Sequence, residues 1–210
     1  MFSVLFRHSD FIAINKPADM SVHQDQDSDG LTRQLAAQLN VERVWLVHRL
    51  DKPTSGVLLL ALNEAAASVL ARQFAERKMH KTYIALSDRK PLKKQGRIKG
   101  GMEKSRRGTW KLTRSNEHPA VTDFCSRSAV PGIRLFELHP QTGRTHQLRV
   151  ALKSIGSPIV GDTLYGGTPA PRLFLHALNL RFNYQSEDFD ITAPTDEMWL
   201  PYFSDGLQPL

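Results

Sequence analysis

Apolar residues fall into short runs along this chain. Phe2–Phe6, Phe11–Asn15, Val44–Val47, Val57–Leu62, Thr82–Leu86, Val121–Ser126, Leu135–His139 and Leu173–Phe182 are rich in leucine, β-branched and aromatic residues. Polar or turn-forming residues bound them, a pattern that predicts strands. The spacing turns helical in two places. Asn63 can cap a helix over Glu64–Arg77, where Ala66, Val69, Leu70 and Phe74 recur on one face. Thr145 can open a second, with Leu148, Leu152 and Ile155 in line and Gly156 to stop it. A less periodic helix covers Leu31–Leu39. Strands outnumber helices and follow no βαβ alternation, so the expected class is α+β on a mixed or antiparallel sheet. No repeat, linker or low-complexity tract divides the chain, and Gln24–Gly30 reads as a polar loop. The expectation is a single domain over residues 1–210.

Composition narrows the function classes. The chain has 210 residues, 40% of them apolar, enough to bury a core without staples. The single cysteine, Cys125, excludes a disulfide framework and a Cys-cluster zinc site. The longest apolar run, Gly56-Val57-Leu58-Leu59-Leu60-Ala61-Leu62, is strand-sized and too short to span a bilayer. Met1–Phe6 lacks a basic leader and is stopped by Arg7, so a cytoplasmic location is expected. The 28 Lys and Arg outnumber the 21 Asp and Glu, a net charge of +7 that suits a polyanionic partner. Fourteen of those cations lie between Arg77 and Arg114, against only Asp88 and Glu103, so the basicity is one patch. On charge alone a solvated, lysine-rich surface that binds nothing is the lesser alternative.

Candidate chemistry sits in one loop. Between two apolar runs lies His48-Arg49-Leu50-Asp51-Lys52-Pro53-Thr54-Ser55-Gly56. Cations beside Asp51 favour its ionised form, which a nucleophile or general base requires. The same residues would also make an ordinary Asx turn, with Pro53 and Gly56 as turn formers.

The segment His48-Arg49-Leu50-Asp51-x-x-Thr54-Ser55-Gly56 resembles the signature of the RluA-type RNA pseudouridine synthases. Seven specified residues in one window arise by chance with a probability on the order of 10⁻⁷, far below that of a short motif. Further segments follow in the family's order. Asn15-Lys16-Pro17 with Val22-His23 resembles its first block, and Lys81-Thr82-Tyr83-Ile84-Ala85-Leu86 the block that holds a tyrosine. Thr142-Gly143-Arg144-Thr145-His146-Gln147-Leu148-Arg149 resembles the third, followed by Pro158-Ile159-Val160-Gly161-Asp162, Tyr165-Gly166 and Leu175-His176-Ala177. The likeness runs from about Phe11 to Leu200. One departure stands in the first block, where Ala18-Asp19-Met20 replaces a usual glycine. Many members carry an RNA-binding S4 module before the first block, and this chain resembles a short form without one.

The resemblance implies a pseudouridine synthase catalytic domain: a bent mixed or antiparallel sheet flanked by a few helices, with a central active-site cleft. It implies an isomerase that detaches uracil from C1′, rotates it and rejoins it through C5. Asp51 would be the catalytic aspartate, Tyr83 would stack on the target base, and Arg149 would pair with Asp51. No cofactor and no metal are expected. Arg49 would fill the space of a flipped-out uridine. Arg144, His146, Lys93, Lys94, Arg97, Arg106 and Arg107 are the expected RNA contacts, mostly with phosphates. His146, Arg149 and Lys153 would make one face of their helix cationic. The expected partner is transfer or ribosomal RNA, with no DNA or membrane, for a monomeric enzyme. A non-catalytic RNA-binding or RNA-folding factor on the same scaffold is the alternative, though it would need no Asp51, Tyr83 and Arg149 together. A metal-dependent hydrolase is a further one, disfavoured because the eight histidines show no ligand spacing.

Overall fold

The structure is a computed structural model that describes residues 1–22 and 30–203. In chain order the elements are β1 (Ser3–Arg7), β2 (Phe11–Lys16), α1 (Leu31–Leu39), β3 (Trp45–Leu46), β4 (Ser55–Ala61) and α2 (Glu64–Ala75). Then come β5 (His80–Ser87), β6 (Gln95–Lys104), β7 (Trp110–Thr113), β8 (Ala120–Val130), β9 (Ile133–Pro140), α3 (Gln147–Ser154), β10 (Leu175–Tyr184) and β11 (Glu187–Thr192). Short 3-10 turns lie at Arg106–Gly108, Thr163–Tyr165 and Glu197–Tyr202. The class is α+β, as the sequence pattern predicts. The chain divides into two compact units: residues 1–81 with 177–194, and residues 82–176 with those from 195 onward.

In the first unit, β1 pairs with β2 and β2 with β4, both antiparallel, while β3 lies on β4 and β11 on β10. Every residue of β4 is buried, which is why its sequence is a continuous apolar run and not an alternating one. α2 starts where expected because the Asn63 side chain accepts the Ala66 N–H at 2.8 Å. It ends two residues before the expected Arg77. Its Ala66 and Leu70 bury against Phe11, Ala13, Val57, Leu59 and Phe182. A buried side chain of the size of Leu70 contributes about 1.5–3 kcal/mol. An aromatic cluster seals the other end, with Phe11 edge-on to Phe182, Tyr184 and Phe189 at 5.1–5.5 Å between ring centres.

The second unit is an antiparallel series in the order β5-β9-β8-β6-β7. Leu135, Phe136 and Leu138 of β9 and Val150, Ala151 and Leu152 of α3 are buried. Three findings differ from the sequence pattern. The expected Val44–Val47 strand shrinks to Trp45–Leu46. β11 was not foreseen. The basic stretch after β5 is a hairpin, β6–β7, whose sequence Gln95-Gly96-Arg97-Ile98-Lys99-Gly100-Gly101 has too few apolar residues to read as a strand. Arg97 and Lys99 point to solvent, and Ile98 and Gly100 are buried between them.

Candidate active site

The loop with Asp51 lies in the first unit. Asp51 is half-buried, Arg49 and Lys52 are exposed, and Leu50 and Thr54 are buried, so the loop is anchored through its apolar and hydroxyl residues. The Thr54 N–H donates to the Asp51 carbonyl at 3.0 Å and closes the turn. Lys16, fully buried, clamps it from below. Its ammonium donates to the carbonyls of Lys52 at 3.0 Å and of Pro17 and Met20 at 2.9 Å each. Three carbonyl oxygens around one ammonium satisfy all its N–H donors, which is what makes a buried lysine tolerable. The segment 16–20 curls over this ammonium by placing Asp19 in the left-handed region at φ 61°. That is where the resembling family has a glycine. Aspartate tolerates this conformation better than most side chains, so the turn survives the replacement.

The other end is fixed by His48. Its Nε2 accepts the Leu59 N–H at 2.9 Å, and its ring stacks on Phe74 with centres 4.3 Å apart. A nitrogen that accepts cannot carry a proton. Burial, and then the charge of Lys81, push the His48 pKa down to about 3, so the ring is neutral. Burial also lowers Lys81 from its usual value. Gly56 ends the loop at φ 115°, and a Cβ there would sit 2.2 Å from the Ala177 carbonyl oxygen. Only glycine lets the two main chains approach so closely.

Tyr83 and Arg149 lie in the second unit. Tyr83 is half-buried on β5, opposite Leu138 of β9. α3 begins at Gln147, with His146 as its left-handed cap at φ 57°, two residues later than the Thr145 start expected. Residues 147–152 are all buried, so on the expected cationic face Lys153 is exposed and Arg149 is covered. Its Nε and Nη2 instead donate to the two Asp162 oxygens at 2.8 and 2.7 Å, a bidentate pair with both side chains buried. The preceding turn is locked by Gln147. Its Oε1 accepts from the Thr142 hydroxyl at 2.8 Å and the Arg144 N–H at 3.0 Å; its amide donates to the Val121 carbonyl and the Thr122 hydroxyl, both at 3.0 Å.

The expected RNA contacts spread over both units. Arg49 is exposed beside Asp51 in the first. In the second, Lys93 and Lys94 are exposed before β6, Arg106 and Arg107 form the tip of the β6–β7 hairpin, and Arg144 donates to the His118 carbonyl at 3.2 Å. Arg97 is already engaged, donating to both Asp123 oxygens at 2.6 and 2.9 Å. His146 is half-buried against Tyr165. His23, part of the first-block resemblance, lies outside the described residues. Lys16, Gln147 and Asp162 were named in the sequence only as parts of matching segments; their burial and bonding could not be read there. Among the described residues no cluster of His, Cys, Asp and Glu could hold a metal, and no helix is long and apolar enough to cross a membrane.

Comparison with known proteins decides the family. The RNA pseudouridylate synthase profile matches residues 10–154. The chain belongs to the RNA pseudouridylate synthase family. It is 56% identical over 192 residues to a Haemophilus influenzae protein named "Uncharacterized RNA pseudouridine synthase", covering 90% of this chain and 86% of that one. It is 32% identical over 232 residues to the tRNA pseudouridine synthase C of Vibrio vulnificus, covering 97% and 94%. Among solved structures, human RNA Pseudouridylate Synthase Domain Containing 1 is similar, with a TM-score of 0.78, 31% identity and coverage of 93% and 84%. Pseudouridine synthases are isomerases, and this chain is one of that enzyme class. The profile takes in the Asp51 loop, Tyr83, the hairpin and α3, so both units contribute to the family match.

Proposed function

We propose that the enzyme converts one or a few uridines of a structured RNA to pseudouridine, with Asp51 as the catalytic residue and Tyr83 and Arg149 serving the same reaction. The C1′–N1 bond breaks, the base turns, C1′–C5 forms, the C5 hydrogen leaves as a proton and N1 takes one up. Atoms balance within the nucleotide, so no redox partner or cofactor is called for. The observation that carries the reading is the anchoring of the Asp51 turn. Lys16 grips the carbonyl next to it, and neutral His48 and Gly56 anchor its two ends, so the main chain that carries the carboxylate is held on both sides. A carboxylate held in one place gains the advantage of fixed orientation toward a bound nucleotide.

The basic residues of the hairpin and of the turn before α3 would hold the RNA by its phosphates while the target uridine leaves its stack. Arg49, exposed beside Asp51, is suited to fill the vacated space. Transfer RNA is the favoured substrate because the Vibrio relative of that name matches nearly the full length of both chains. Tritium release from [5-³H]uridine-labelled RNA tests the whole reading. The wild type should release tritium from transfer RNA taken from cells lacking the protein, and Asp51→Ala should release none. Release from ribosomal RNA alone would move the substrate; release persisting in Asp51→Ala would remove Asp51 from the chemistry.

A further inference from the structure

Tyr165 gathers contacts from α3, its cap and β7 in the second unit. It is 2% exposed and closes the 3-10 turn Thr163–Tyr165. Its ring lies beneath two cations of α3, the Arg149 guanidinium at 4.9 Å and the Lys153 ammonium at 5.7 Å from the ring centre. Its hydroxyl is 2.7 Å from His146 Nδ1 and accepts the Trp110 N–H at 3.0 Å. Asp162, the residue before that turn, takes the edge of the same guanidinium. One short turn therefore fixes Arg149 twice, in its plane by a carboxylate and on its face by an aromatic ring. A cation over such a ring is attracted to its negative face, and more strongly where water is excluded.

Trp110 is where this reaches the hairpin. It opens β7 opposite Lys104 of β6, and exposed Arg106 and Arg107 lie on the tip between them. The phenol oxygen thus holds the base of the hairpin that carries the exposed cations. The phenol ring, meanwhile, holds the arginine that the family resemblance places in the chemistry. We propose that Tyr165 is a positioning residue with two separable halves: its ring orients Arg149 for the reaction, and its hydroxyl sets the β6–β7 hairpin for RNA. This rests on the functional reading above.

The halves can be removed one at a time in the full-length protein. Tyr165→Phe keeps the ring and deletes the hydroxyl; Tyr165→Leu deletes both. Steady-state tritium release from [5-³H]uridine-labelled transfer RNA should give, for Tyr165→Phe, a KM raised about tenfold and a kcat lowered less than about threefold, the scale of one hydrogen bond. Tyr165→Leu should show the same KM and a kcat at least about tenfold below that of Tyr165→Phe, the scale of a desolvated cation–π contact. Amide exchange supplies a readout independent of activity: the Trp110 N–H should exchange at least about tenfold faster in Tyr165→Phe than in the wild type. If Tyr165→Leu does not fold, Tyr165→Met takes its place as the ringless variant, and Tyr165→Phe with the exchange measurement decides the hydroxyl. Equal kcat in the two variants would overturn the role of the ring, and unchanged Trp110 exchange would overturn that of the hydroxyl. A wild type that releases no tritium overturns the functional reading instead, and the exchange result still decides the link to the hairpin.

Discussion

Around Asp51, side chains grip main chain; around Arg149, side chains grip one another. Lys16 holds three carbonyls and His48 holds an amide, so the turn from His48 to Lys52 is anchored at both ends through main chain. Asp162, Tyr165 and His146 instead form a connected set in which each position depends on the next. The first arrangement holds the loop through its main chain. The second uses its side chains for mutual support, and losses within it are not additive. A change of a gripping residue in the first region should therefore act on folding, and a change in the second on folding and catalysis together.

The sharpest way to break the contrast is Asp162→Asn. It keeps the shape of the side chain and removes the charge opposite a buried guanidinium, and breaking a buried pair costs about 3–5 kcal/mol. Urea denaturation should show a loss of that order, and at a urea-free temperature where the variant is folded its kcat should fall as well. A folded variant with wild-type kcat would mean that the Asp162 contact supports the fold alone.

The two regions were also unequally legible in the sequence. The Asp51 loop was readable because its signature is contiguous and bracketed by β4, whose unbroken apolar run could be nothing but a buried strand or core helix. The helices α1 and α2 were readable from spacing and, for α2, from the Asn63 cap. The spacing of α3 put His146, Arg149 and Lys153 on one face, but no local pattern reveals that Asp162 and Tyr165 of a later turn cover Arg149. β6 was missed because a strand with one face in solvent and glycines on the other carries almost no periodic apolar signal. Tertiary partners decided each of these, and they are invisible to a reading that moves along the chain. Lys16 shows the same limit from the other side: its motif was recognised, and its burial among three carbonyls was not.

pH sharpens the comparison from the side of the loop. His48 is neutral in the fold with a pKa of about 3, against an ordinary value of 6.5. Above pH 6.5 neither state binds the proton and stability does not depend on it. Between 6.5 and 3 the unfolded chain takes up a proton that the folded one refuses, so stability falls as pH falls. From pH 6.5 to 5 the loss should reach about 2 kcal/mol. His48→Gln keeps an acceptor for the Leu59 N–H and has nothing to titrate. Urea midpoints across that range should fall for the wild type more steeply than for the variant, and equal slopes would show that His48 protonates freely in the fold.

The smallest effect tests whether the hairpin shares the side-chain economy of α3 or is open surface. Arg97 and Asp123 form a bidentate pair that is largely exposed, and each shifts the other: the guanidinium is held above its usual pKa and the carboxylate below. A solvent-exposed pair contributes little to stability, so neither Arg97→Gln nor Asp123→Asn should unfold the protein. Their effects on RNA should be opposite. If Arg97 meets a phosphate, Arg97→Gln should make the slope of log affinity against log salt shallower by about 1. Asp123→Asn removes the competing carboxylate and leaves the guanidinium in place, so affinity for transfer RNA should rise. If both variants weaken binding alike, Asp123 is needed to aim Arg97 at the RNA, and the pair belongs with the coupled side chains around Arg149; if neither changes the salt slope, Arg97 touches no phosphate and the grip lies with Arg106 and Arg107 at the hairpin tip.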